Sequence, residues 1–129
     1  MNPQIRSYFV VLGEACIPAA VTAVTGITPT KTWLKGEVRH ERTQRIRLDS
    51  GWRVDLTSEV EATLEAHVAG LLNLLWESRE YFDELRSRCE LHISVVVHGR
   101  NGMPELNLSV DTLRRLSSIG ASLDIDAYC

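Results

Sequence analysis

Apolar and polar residues alternate with period two in several stretches of this chain and recur at helical spacing in others. In "ELHISVVVHG", Leu91, Ile93, Val95 and Val97 alternate with His92, Ser94 and His98, the pattern of a strand buried on one face. The ending "SLDIDAYC" sets Leu123, Ile125 and Ala127 against Ser122, Asp124, Asp126 and Tyr128 in the same way. Residues 5–12, "IRSYFVVL", are rich in β-branched and aromatic types and predict a first strand. There neither alternate set, Ile5, Ser7, Phe9, Val11 nor Arg6, Tyr8, Val10, Leu12, is wholly polar. Part of that strand's outer face therefore needs cover. Residues 43–48 and 52–57 alternate around "DSG" and predict a hairpin, with Ile46, Leu48, Val54 and Leu56 inward and Arg45, Arg47, Arg53 and Asp55 outward.

Helical spacing appears three times. "PAAVTAVT" starts at Pro18, suited to a first helical turn, and stops at Gly26, suited to a left-handed cap. Ser58 and Glu61 have capping-box spacing, ahead of a stripe of Val60, Leu64, Val68, Leu71, Leu72 and Leu75. The stripe runs on through Phe82, Leu85 and Cys89 to about residue 88, with a bend expected near Trp76. Ser109 is placed to cap a last helix that Gly120 ends. Between the first helix and the hairpin, "ITPTKTWLKGE" is punctuated by Pro29 and Gly36 and reads as an ordered loop. Strands joined by helices that must bury one stripe each predict an α+β sandwich, with a mainly antiparallel sheet and its helices on one face.

At 129 residues the chain has the usual size of one domain, and 44% hydrophobic with 24% charged residues is ordinary for a globular protein. A single domain spanning 1–129 is expected. The apolar runs fall far short of the roughly 20 residues that cross a bilayer, and the start reaches Glu14 too soon for a secretory leader. A cytoplasmic protein without membrane contact is expected. Cys16, Cys89 and Cys129 are odd in number and unrelated in spacing, which predicts reduced thiols rather than a disulfide framework.

Charge changes the picture more. Between Lys31 and Arg53 lie seven of the fourteen basic residues and three of the seventeen acidic ones, so that stretch is +4 and the remainder is −7. Such asymmetry marks either a patch for an anionic partner or a solvated hairpin. Trp33 and Trp52 beside Lys35 and Arg53 could form a cationic, aromatic binding surface, or could anchor a long loop. Nucleic acid is not the expected partner, because the chain as a whole is negative and has no recognition-sheet motif.

Candidate chemistry is sparse. Asp124 and Asp126 are about 7 Å apart on one strand face, near enough to converge on a cation if a neighbouring strand supplied a histidine. His92 and His98, separated by roughly 20 Å, cannot share one ion. The aspartates are expected to be a solvent-facing pair, with no metal and no cofactor. Cys16 stands at the mouth of the first helix, where the helix dipole would activate a thiol, although a small core residue is the commoner role. The glycines match no phosphate-binding or dinucleotide loop, and no nucleophile elbow is present.

"GITPTKTWLKGE", "SGW", "ISVVVHG" and above all "LSSIGASLDIDAYC" resemble a bacterial family called domain of unknown function 4279, from Tyr8 to Tyr128. The resemblance implies a small α+β domain and brings with it no established activity or catalytic residues. The functional expectation is a non-catalytic protein- or ligand-binding module, such as an immunity protein, with Trp33, Lys35, Trp52, Arg53, Asp124 and Asp126 as its candidate binding residues. The alternatives are a metal-assisted hydrolase built on Asp124 and Asp126, and a structural homodimer that covers the outer face of the sheet.

Overall fold

In the computed structural model, which describes residues 4–40, 45–56, 63–99 and 102–128, the first strand β1 (Gln4–Gly13) is the middle of the sheet. It pairs antiparallel on one side with β5 (Ser50–Asp55) and on the other with β6 (Glu90–His98). The sheet is completed by β2 (Lys31–Trp33) beside β5 and by β7 (Ser122–Tyr128) beside β6, in the order β2-β5-β1-β6-β7. Among the described strands only β6 and β7 run parallel, joined by a crossover through helix α4 (Val110–Ile119). The architecture is α+β, with a mixed, mainly antiparallel sheet.

Helices α1 (Pro18–Thr25), α2 (Leu64–Leu75), α3 (Arg79–Leu85) and α4 bury their stripes together with one face of the sheet. Phe9, Val11, Trp52, Val54, Ile93, Val95 and Val97 meet Leu64, Val68, Leu71, Leu72, Leu75 and Phe82 in a common core. The α2 stripe bends where expected, through a single 3₁₀ turn at Trp76–Ser78. The Ser58–Glu61 capping box lies outside the described residues; the described start of α2 is capped by Thr63, whose hydroxyl accepts from the Ala66 N–H at 3.1 Å. Ser109 caps α4, and Gly26 and Gly120 close α1 and α4 in the left-handed conformation. Glu65 on α2 reinforces the α4 cap by accepting from the Ser109 N–H at 3.0 Å and the Thr112 hydroxyl at 2.8 Å, which holds its carboxyl below the usual range.

Two expectations are corrected. The segment read as a loop contains β2, an edge strand paired to β5. The hairpin does not form: β5 already has β1 on one side and β2 on the other, and a strand has only two ladder edges. The residues before it instead form a separate two-stranded ribbon of β3 (Val38–His40) and β4 (Arg45–Ile46). Val54 faces the core as expected and Leu56 packs against it, but Ile46 and Leu48 are 55% and 78% exposed. Residues 43, 44 and 57 of that hairpin lie outside the described residues.

One buried polar pair has a measurable consequence. Ser7 on β1 and His67 on α2 are both inside the core, with the hydroxyl 2.6 Å from Nδ1 of the ring. Burial pushes the imidazole below its ordinary pKa. The unfolded chain then binds the proton more readily than the folded one. This contribution is complete above about pH 6.5 and is lost as pH falls toward the depressed folded value, by at most about 1.4 kcal/mol per pH unit. Urea unfolding is expected to show a lower midpoint at about pH 5 than at about pH 7.5, and His67→Asn to flatten that difference. An unchanged pH dependence in the variant would assign the loss to other groups.

Candidate functional site: an arginine-lined cleft under the ribbon

The outer face of the sheet, opposite the helices, is where the chain builds a concavity. Tyr8, Val10 and Leu12 of β1 alternate outward from Phe9 and Val11, and with Trp33 and Arg53 they form one wall. The other wall is the β3–β4 ribbon and the residues after it, with Arg39, Arg45, Ile46, Arg47, Leu48 and Asp49. The space between is about 760 Å³, within the size range of small-molecule sites. Val10 is only 6% exposed although it points away from the helices. At Val10 that cover comes from within the chain, while Tyr8 and Leu12 of the same face stay half-buried.

The local geometry follows from backbone register. Trp33 stands opposite Gly51, and its indole lies flat where a side chain would be: a Cβ on Gly51 would sit 2.1 Å from Trp33 Cζ2. Gly36, at φ 91°, turns the chain into the ribbon, and its N–H donates to the Arg47 carbonyl at 2.9 Å. Arg47 in turn donates its N–H to the Glu37 carbonyl at 2.8 Å, and its guanidinium sits 4.2 Å over the Trp33 ring. The β3–β4 register shifts between Val38 and His40, so that Arg39 is the extra residue of a bulge, a device that re-aims side chains.

The cations of the cleft are not equivalent. Arg53 sits 3.9 Å over the Tyr8 ring, and its fork is engaged by Asp55, Nε to Oδ1 at 2.6 Å and Nη2 to Oδ2 at 3.2 Å. Among the described residues no carboxylate lies within ion-pair distance of Arg39, Arg45 or Arg47. Desolvation, then repulsion from Arg39, pushes Arg47 below its ordinary pKa, and Glu37 offsets part of this. A pair of like charges held together beside an apolar wall would be stabilised by an anion.

The six residues nominated from sequence are dispersed. Trp33 and Arg53 line the cleft. Lys35 is turned to Glu14, whose carboxyl this ion pair holds below its usual range. Trp52 is on the opposite face, fully buried in the core, where its indole N–H donates to Thr22 on α1 at 3.0 Å. It cannot share a surface with Trp33, because the two occupy alternate sides of the sheet. Asp124 and Asp126 are exposed on the edge strand β7; Asp124 lies in the same cross-sheet row as Tyr8 and Ser94 but two strands beyond β1, about 10 Å away.

Nearer the aspartates, His92 Nδ1 is 3.8 Å from Asp124 Oδ2 and is also hydrogen-bonded to the Ser122 hydroxyl. Both partners meet the same ring nitrogen, so the imidazole cannot relay a proton between them as a triad requires. Among the described residues no three His, Cys, Asp or Glu side chains come together in a metal-binding group. Cys16 is buried rather than activated; desolvation pushes its thiol up to about 12, and Cys89 is raised as well.

Tyr8, Arg39, Arg45, Arg47, Ile46 and Leu48 were not nominated from sequence. The basic excess between Lys31 and Arg53 was the signal for the arginines, but the misplaced hairpin sent Ile46 and Leu48 to the core.

Fold and cleft together define a small α+β domain with a basic, apolar-walled concavity on the outer face of its sheet. The chain belongs to the family of a domain of unknown function, DUF4279, whose model matches residues 3–129. No curated protein and no solved structure matches it. Among the described residues no helix is long and apolar enough to cross a membrane.

Proposed function

We propose that this protein is a binding module whose ligand is an organic anion held in the ribbon cleft. The observation that carries this reading is the meeting of Arg39, Arg45 and Arg47 with an apolar wall in one concavity. Concavity favours a small ligand over a protein partner, which would dock on a flatter surface. Guanidinium forks suit carboxylate, sulfate or phosphate groups, and a guanidinium fixed in plane by an indole loses less entropy when it engages one.

The test is thermal unfolding of the full chain against alkyl and aryl carboxylates, sulfates and phosphates, each paired with an uncharged analogue. Anions are expected to raise the melting temperature while neutral analogues do not, and Arg47→Ala is expected to remove most of the rise. Stabilisation by neutral analogues alone, or an anion effect that Arg47→Ala leaves intact, would place the ligand elsewhere. A gel-shift with single-stranded RNA and duplex DNA checks the companion reading that a long polyanion is not held, since the rest of the chain carries −7.

A further inference from the structure

We infer that the ligand of the ribbon cleft is an organic phosphate monoester, a compact dianion joined to an apolar body; this rests on the anion-binding reading above. Charge balance argues for two negative charges. Among the described residues, four arginines and one carboxylate, Asp49, line the cleft, and Arg53 is already neutralised by Asp55 outside it, which leaves a surplus of +2. Glu37, across the ladder from Arg47, offsets part of this from outside the lining.

Geometry argues that both charges reside on one group. Arg39 is the bulged residue of β3 and Arg47 follows β4 on the facing strand, so two cations of a narrow ribbon are held close enough to repel. A dicarboxylate would spread its charges over separate carbons, whereas a phosphate presents three terminal oxygens to several forks at once.

The body of the ligand follows from the rest of the lining. Ile46 and Leu48 are largely exposed and line the cleft across from Val10 and Leu12, so apolar surface on both walls adjoins the guanidinium groups. Leaving Leu48 in water is unfavourable, and a ligand with an alkyl or aryl body would cover it. An inorganic ion would leave that surface bare.

Calorimetry with phenyl phosphate, phenyl sulfate and inorganic phosphate tests the inference at about pH 7.5, above the second phosphate pKa of about 6. The two esters share shape and differ in charge. Phenyl phosphate is expected to bind about tenfold or more tightly than phenyl sulfate, and more tightly than inorganic phosphate. Arg39→Ala, at an exposed position, is expected to bring the two esters to similar affinity, and Leu48→Ser to weaken the esters but not inorganic phosphate. Equal affinities for the two esters in the wild type would overturn the dianion and leave the anion site standing. Binding of no anion at all would overturn both. Retention on phosphatidate vesicles without binding of phenyl phosphate would assign the phosphate group to a lipid and overturn the small ester.

Discussion

Trp52→Ala is expected to lower the unfolding free energy by about 3 to 5 kcal/mol, the range for removal of a large buried aromatic side chain. Trp52 is fully buried and meets Phe9 edge-on at 6.4 Å and Phe82 at 6.4 Å, while Phe9 and Phe82 are 5.1 Å apart. These three rings join β5, β1 and α3, and the indole N–H ties in α1 through Thr22. Against a total of about 5 to 15 kcal/mol, such a loss leaves little margin. Urea unfolding of the wild type and of Trp52→Ala measures it. Trp52→Phe separates stability from binding: it should cost less and leave the affinity for an anion unchanged. A loss of affinity in folded Trp52→Phe would return Trp52 to the binding surface.

Gly51→Ala is expected to expel Trp33 from the sheet. A methyl group 2.1 Å from the indole cannot be accommodated by small adjustments, and overpacking of this kind costs about 1 to 3 kcal/mol. The change reaches the cleft as well as the fold, because Trp33 is the platform that orients Arg47. Anion binding is expected to fall at least tenfold, with Trp33 fluorescence shifted toward that of a solvent-exposed indole. The double variant Gly51→Ala with Trp33→Ala should be no less stable than Trp33→Ala alone, since the clash needs both partners. Additive losses would show that Gly51 matters for some reason other than the seat it gives Trp33.

The basic cleft also explains why the candidate site was only half legible. Trp33 and Arg53 could be nominated from residue type, Trp33 near Lys35 and Arg53 next to Trp52 in sequence, but only the pairing of β2 with β5 brings these two to one wall. For Trp52 the sequence leaves core and binding surface both open, because tryptophan suits either, and only the pairing Thr32 to Trp52 and Trp33 to Gly51 reveals which face each occupies. Lys35 was nominated as a binding cation, but the fold turns it to Glu14, twenty-one positions away.

What the sequence by itself determined was local: strands where apolar residues alternate, helices where they recur at helical spacing, the stops at Gly26 and Gly120, the cap at Ser109 and the bend at Trp76. These depend on backbone preference and on which face is apolar, and both are written within a window of a dozen residues. Strand partnership was decided only in the tertiary structure. A strand offers the same unsaturated edge to any neighbour, and β5 could pair with the preceding segment as a hairpin or with β1 and β2 as a central strand. The second arrangement places Trp52 and Val54 against the helices and lays Trp33 over Gly51, so that both indoles are buried. The displaced segment then folds as a ribbon over the outer face, and its arginines meet Trp33 and Tyr8 to form the cleft.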